Sequence, residues 1–301
     1  SGTYSTDTYR GPSAFSEPET QVQRNLVVQT KPIVGISFHT YSDLFVHPWG
    51  WTTVGTPDSA KFQEWSDEMT LPNGFTAGPG PRILYSVNGE FNDWTYGDTL
   101  LKPKAFTWTP EVGGPSDGFW PSPSRIEPLA LSMLRSNYIL AGLAGPWLRG
   151  ERTTIAEGAL IAGGTAHLQV RLRNLGATGV AGPNLRATLT ALDAGVQVLS
   201  GAVGYPSMPS LTSADANDPN GFTVTAADTV TPGRLVSFRL DITDDNGIAC
   251  RDTVRLAVGV PTTVLIEPFN ATTNWSISGG AWGITSNDPD HPSRYLSDSP
   301  N

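Results

Sequence analysis

The stretch PIVGISFHTY, residues 32–41, sets the fold of the first part of the chain. Its apolar, β-branched opening predicts a strand that is buried on both faces of a sheet. The strand ends by presenting His39. Because ligands bind outside the carboxyl ends of strands in open α/β sheets, His39 lies where chemistry usually occurs. A histidine held by hydrogen bonds in the core is the alternative, and this stretch alone leaves both interpretations open.

Helices and strands alternate on either side of this stretch. Breakers and apolar periodicity predict helices over residues 16–30, 59–69 and 126–144 and further strands over 82–85 and 105–109. In the first helix, Ser16 and Glu19 have the spacing of a capping box, and Val22 and Leu26 share one face. This alternation predicts an α/β domain over residues 1–146.

The hydrophobic period changes to two beyond this domain. Alternate residues are apolar over 166–173 and again over 235–243, and Asp245-Asn246-Gly247 supplies a hairpin turn after the second run. These patterns predict an all-β, immunoglobulin-like sandwich over residues 147–260. Residues 261–301 are expected to begin a further β module that is truncated.

Composition excludes several classes of protein. The net charge of −9 argues against a nucleic-acid partner, which would need clustered Lys and Arg. None of the apolar runs has the length of a membrane span. The single cysteine, Cys250, excludes an intramolecular disulfide. Abundant Gly, Pro, Ser and Thr with few Lys fit a secreted bacterial protein.

Four motifs carry a resemblance to a known family. They are TYRGPSAFSEPET at 8–20; SFHTYSDL at 37–44 with PWG at 48–50; Tyr85 followed by DWTYG at 93–97; and TPEV at 109–112 with GFWP at 118–121. In this order they resemble the zinc metallocarboxypeptidases of the carboxypeptidase A and T type. The resemblance covers residues 1–146.

The resemblance implies a fold and a set of roles. The fold would be the C-terminal half of a mixed-sheet α/β/α carboxypeptidase domain. His39 would be a ligand to Zn²⁺, a metal that favours imidazole nitrogen, and Glu111 would be the general base. Tyr85 would close over the substrate, Asn92 would line the floor of the side-chain pocket, and Tyr41 would line the subsite beyond the scissile bond. Asp93, in the Asp-Trp motif, is expected to bond backbone amides and fix its loop.

The chain also departs from the family pattern. The family takes its first two zinc ligands from a His-x-x-Glu motif, and no histidine in this sequence has Glu three residues later. The arginines that hold the substrate carboxylate are also missing. We therefore expect a fragment that lacks half of its catalytic domain, exposes a sheet edge, and has absent or feeble zinc binding and activity.

The expected whole protein is a secreted zinc metallocarboxypeptidase that acts on peptides or proteins with a free C-terminus. Its β modules would stabilise it or attach it to a cell surface or matrix. Two alternatives remain open: a non-catalytic relative that binds peptide ends, and a secreted adhesive or structural protein whose β modules are the functional part.

Overall fold

A four-stranded mixed sheet forms the centre of the N-terminal region. The structure is a computed structural model that describes residues 2–180, 184–260, 283–285 and 295–297. The strands are β1 (Val34–Ile36), β2 (Leu44–His47), β3 (Thr76–Pro79) and β4 (Phe106–Glu111), in the order β1-β4-β2-β3. β1 runs parallel to β4, β2 runs parallel to β3, and β2 runs antiparallel to β4. The sheet is therefore mixed, as the family resemblance implied.

Five α-helices accompany this sheet: α1 (Pro18–Thr30), α2 (Ser59–Thr70), α3 (Gly80–Ile83), α4 (Phe91–Gly97) and α5 (Ile126–Leu143), with a short 3-10 helix at Pro123–Arg125. The three helices predicted from the sequence correspond to α1, α2 and α5. Phe62 and Trp65 of α2 pack with Trp108 of β4 in a buried aromatic cluster. Trp108 also donates from Nε1 to Ser66 Oγ at 2.9 Å, so the buried indole nitrogen is satisfied.

Several local predictions for this region were wrong. Residues 82–85 do not form a strand, because Pro81 lies in the first turn of α3, a position that favours a helix. The preceding strand β3 was missed because Gly78 and Pro79 look like breakers, yet β3 lies at the edge of the sheet, where proline is tolerated. The short helix α4 was also missed.

The central stretch differs from its prediction as well. β1 is only three residues long and half-buried, because it lies at the other edge of the sheet and pairs with β4 alone. At the start of α1, Glu17 is the N-cap residue and makes no side-chain cap; Ser16 Oγ bonds to the Glu17 carboxylate instead. Val22 and Leu26 are 67% and 57% exposed, so the face they share is uncovered in this structure.

Two antiparallel sheets follow. The first contains β5 (Leu148–Ile155), β6 (Thr165–Asn174), β8 (Val196–Ser200), β10 (Ser213–Ala214) and β11 (Phe222–Ala226). The second contains β7 (Arg186–Ala191), β9 (Ala202–Gly204), β12 (Leu235–Thr243) and β13 (Ala249–Ala257). Alternate residues of β6 and β12 are buried in one core that both sheets share, so the predicted alternation is confirmed. The predicted hairpin is confirmed too, with Thr243 of β12 paired to Ala249 of β13.

The sheets contact the α/β region through α2. Trp65 Nε1 donates to the carbonyl of Leu175 at 2.7 Å, and Arg173 pairs with Glu64 at 2.5 Å. Residues 1–258 accordingly form one compact unit with two cores.

Residues 259–301 form a second unit. Its described parts are β14 (Gly283–Thr285) and β15 (Tyr295–Ser297), which pair antiparallel. The predicted β module over 261–301 otherwise lies outside the described residues. Within the described parts of the chain, no helix combines the length and apolarity that crossing a membrane requires.

Candidate active site

The backbone beyond β1 brings His39 beside Glu111. His39 N donates to Pro110 O at 3.0 Å, and Val112 N donates to His39 O at 2.9 Å. These bonds form a parallel bridge between His39 and Glu111. Directly paired residues on neighbouring strands point to the same face of a sheet, so the imidazole and the carboxylate share one face.

A cavity of about 190 Å³ opens on that face. His39, Glu111 and Tyr85 all line it, together with Glu90, Thr109 and Val46. Tyr85 is 63% exposed, which places it at the mouth rather than within the protein. Three of the five predicted site residues are thus brought together in one place.

Partial burial sets the electrostatics of Glu111. Burial raises the pKa of its carboxyl group, and the nearby His39 acts in the opposite direction. A carboxylate whose pKa is raised toward neutrality becomes a better proton acceptor at neutral pH. Glu111 therefore has the chemical character that a general base needs.

Glu90 is an ionisable residue of this cavity that sequence reasoning missed. Burial, together with the nearby carboxylates of Asp93 and Glu111, raises the pKa of its carboxyl group to about 7. Glu90 is the N-cap residue of α4, so its position depends on a helix that the sequence pattern did not predict. The signal that could have located it is the acid immediately ahead of the apolar and aromatic residues of that helix.

Asn92 and Tyr41 lie in different surroundings from the other predicted site residues. Asn92 is completely buried, and its Nδ2 donates at 2.9 Å to Oγ1 of Thr109, a residue that lines the cavity. Tyr41 packs edge-on against Phe119, with ring centroids 5.0 Å apart. Their substrate-binding roles stay predictions.

Asp93 has the structural role expected of it. Gly50 N donates to both carboxylate oxygens of Asp93, at 2.9 and 3.1 Å. This contact joins α4 to the segment that follows β2. It fixes the backbone next to Glu90.

The residues present do not make a complete metal site. In the described parts of the chain, no group of three His, Cys, Asp or Glu side chains is placed to hold a metal ion. A catalytic zinc site takes three protein ligands. His39 could supply one of them, and the described residues do not supply the rest.

Comparison with known proteins shows a similarity of the N-terminal region to one family. Residues 1–136 match the family described as zinc carboxypeptidase. Zinc carboxypeptidase A 1 from Anopheles gambiae is 31% identical over 140 residues, which cover 43% of this chain and 32% of that protein. Carboxypeptidase B from Astacus astacus is 28% identical over 110 residues, which cover 32% of this chain and 34% of that protein. The chain thus spans about a third of the length of these two relatives.

A solved structure gives a partial match. Bovine thrombin-activatable fibrinolysis inhibitor, in complex with tick carboxypeptidase inhibitor, is 23% identical with a TM-score of 0.42, over 47% of this chain and 50% of that chain. The family match and the curated relatives confirm the resemblance that the sequence motifs indicated. By that match, residues 1–136 of this chain are similar to the zinc carboxypeptidase family.

Proposed function

We propose that this chain is part of a zinc-dependent metallocarboxypeptidase, a hydrolase that cleaves C-terminal bonds of peptides or proteins. The observation that supports the proposal most is the convergence of His39 and Glu111 on one cavity with Tyr85 at its mouth. The match of residues 1–136 to the zinc carboxypeptidase family supports the same class of reaction. Because the chain spans only a third of its relatives, the activity belongs to the complete gene product.

Glu111 would act as the general base. Its carboxylate would accept a proton from the attacking water and pass it to the departing amine. His39 would be one zinc ligand, with the other donors supplied from outside the described residues. Tyr85, exposed at the mouth of the cavity, would donate its hydroxyl hydrogen bond to a bound peptide.

Asn92 and Tyr41 would contribute to substrate binding. Asn92 bonds to Thr109, which lines the cavity, and would support that wall of the substrate site. Tyr41, packed on Phe119, would contact residues of the peptide beyond the scissile bond.

The two sheets after the α/β region would form an immunoglobulin-like accessory module of a secreted bacterial enzyme. Their shared core, separate from that of the α/β region, supports a distinct module, and sandwiches of this class serve many roles. Attachment to a cell surface or matrix is the role we propose for it.

Glu111→Gln in the complete gene product tests the enzymatic proposal. The amide keeps the shape of the side chain but cannot accept a proton, so peptidase turnover should fall by about 10²–10⁴-fold. Bound zinc, measured by atomic absorption, should not change. Glu127→Gln, an exposed substitution in the first turn of α5, is the matched control and should keep full turnover. Normal turnover in Glu111→Gln would refute the assignment of Glu111 as the base.

A second candidate is a non-catalytic relative that binds peptide ends. The lack of a three-donor metal group among the described residues favours it. It predicts that the complete gene product binds peptides with a free C-terminus, holds no stoichiometric zinc and leaves those peptides intact.

A further inference from the structure

Asparagine is followed directly by glycine at four sites in this chain, at 73–74, 88–89, 220–221 and 246–247. At such a site the backbone nitrogen of glycine can attack the side-chain amide carbon of asparagine, because glycine has no side chain to block the approach. The attack closes a five-membered imide and expels ammonia, and water then opens the imide to aspartate or isoaspartate. The surroundings of each site determine how readily it reacts.

Two of these sites are hindered because the attacking nitrogen already has a hydrogen-bond partner. Gly74 N donates to Thr70 O at 2.7 Å. Gly221 N donates to Asp218 O at 3.0 Å. The side-chain amide of Asn73 is also held by partners on both its nitrogen and its oxygen. Reaction at either site must first break these bonds, so we expect both to be slow.

The site at Asn88 is open. Asn88 is exposed, and Gly89 N donates no hydrogen bond to any residue that the structure describes. Gly89 has φ +77°, and among the described residues no atom lies within 4 Å of a Cβ atom added to it. The nitrogen and the space for ring closure are therefore both available.

A cation also contacts the atom that becomes negative during the attack. Arg10 Nη1 donates to Asn88 Oδ1 at 2.7 Å. When the glycine nitrogen adds to the amide carbon, the negative charge develops on this oxygen. A donor aimed at a developing oxyanion stabilises the transition state, and a guanidinium group is always charged. The contact with Arg10 should therefore lower the barrier to ring closure.

Asn246 provides a comparison that isolates the effect of Arg10. It is exposed in the turn between β12 and β13, and Gly247 has open space around an added Cβ atom. In the described part of the chain, neither the side-chain amide of Asn246 nor Gly247 N makes a hydrogen bond of normal geometry. This site therefore shares the glycine, the exposure and the free nitrogen, and it lacks the cationic donor.

We propose that Asn88 is a site of spontaneous self-modification, at which the Arg10 guanidinium promotes cyclisation with Gly89. The bond from Gly89 N to Asn88 Cγ forms and the bond from Cγ to Nδ2 breaks. The amide proton leaves through solvent with the ammonia, and one water molecule opens the imide. The product has a carboxylate opposite Arg10, so the hydrogen bond becomes an ion pair between the N-terminal segment and the loop after Tyr85. The inference does not depend on the proposed enzymatic activity.

The test is a time course on the folded 301-residue chain in mildly alkaline buffer. Peptide mapping by mass spectrometry follows the gain of one mass unit at each site, and chromatography separates isoaspartate from aspartate. We expect Asn88 to convert at least about tenfold faster than Asn246, the ratio given by one charge-assisted hydrogen bond in the transition state. Asn73 and Asn220 should be the slowest. In urea the four rates should converge, because only the local sequence then remains.

Arg10→Leu removes the donor and leaves the Asn-Gly sequence intact. The rate at Asn88 should then fall to that at Asn246, whose own rate should not change. Arg135→Leu, an exposed substitution on α5, is the matched control and should keep the wild-type ratio of the two rates.

Two results would overturn the inference. One is equal conversion of Asn88 and Asn246 in the unaltered folded chain, a comparison that needs no variant to fold. The other is an undiminished ratio in Arg10→Leu that keeps the wild-type circular dichroism spectrum.

Discussion

His39 is joined through its backbone to the end of β4, directly beside Glu111. The bonds His39 N to Pro110 O and Val112 N to His39 O hold this register at 3.0 and 2.9 Å. These backbone hydrogen bonds hold the imidazole and the carboxylate on one face of the sheet. The position of His39 relative to Glu111 is set by the register of this backbone pairing, because a shift of one residue would turn the side chain to the other face.

The first prediction concerns metal binding by the 301-residue chain alone. His39 is one imidazole donor, and the described residues contain no group of three donors, so we expect weak zinc binding. After dialysis against micromolar Zn²⁺ and then zinc-free buffer, atomic absorption should find well below one zinc per chain. One retained zinc that disappears in His39→Asn would contradict this, because the chain would then complete a site by itself.

Local pattern was enough to predict the sheets of the second region. In β6, burial follows every second residue from Ala166 to Asn174, and the Asn-Gly turn fixes the hairpin from β12 to β13. Both features depend on residues close in sequence. His39 and Glu111 could also be identified as candidate site residues, because each follows a short apolar strand within a motif.

The positions of distant segments relative to one another could not be predicted from the sequence. β1 is half-buried because it lies at a sheet edge, and strand order is not encoded in its own residues. Glu90 enters the site only because α4 begins after it and Gly50 leaves space for it. Such contacts join segments about 40 residues apart, so no periodicity reveals them.

The second prediction tests the close approach of Gly221 to β6. Gly221 has φ +62°, and a Cβ atom there would lie 2.1 Å from the carbonyl oxygen of Leu168. Gly221→Ala should lower the free energy of unfolding by about 3 kcal/mol or more, through backbone displacement added to left-handed strain. Urea denaturation measures the change.

Gly233 provides the matched control. Its φ is +87°, but no atom lies within 4 Å of the added Cβ. Gly233→Ala should therefore lower the free energy of unfolding by only about 1 kcal/mol, the cost of a left-handed backbone conformation for alanine. Equal losses for the two variants would show that the contact with Leu168 does not matter.

The third prediction concerns Asn174, a buried amide at the end of β6. Its Oδ1 accepts from Trp147 N at 3.1 Å and from Gly176 N at 3.0 Å, and its Nδ2 donates to Thr178 O at 2.9 Å. Asn174→Leu removes all of these bonds and leaves backbone groups unpaired. The free energy of unfolding should fall by about 2–5 kcal/mol in urea denaturation.

Asn137→Leu is the control for that substitution. Asn137 is exposed on α5, so the change should stay within about 0.5 kcal/mol of the unaltered chain. A loss below about 1 kcal/mol in Asn174→Leu would mean that water or rearranged backbone satisfies the freed groups.

The fourth prediction uses His47 as an internal titration probe. The ring is buried and stacked on Phe62 with centroids 4.9 Å apart, Nδ1 bonds to Pro48 O at 2.9 Å, and Nε2 has no hydrogen-bond partner among the described residues. Burial, with a smaller effect from Arg82, lowers the pKa of His47 from 6.5 to about 4. Between pH 6.5 and 4 the unfolded chain therefore binds a proton that the folded chain does not.

The sign of the effect follows from that difference in bound protons. Stability due to neutral His47 is fully present above pH 6.5 and is lost as the pH falls, by about 3 kcal/mol at pH 4. His47→Asn keeps a side-chain donor for Pro48 O but cannot titrate. We expect the difference in free energy of unfolding between the unaltered chain and this variant to shrink by about 3 kcal/mol from pH 7.5 to pH 4. Other acids titrate equally in both proteins and cancel, so a constant difference across this range would show that His47 is already protonated, or reached by water, in the folded chain.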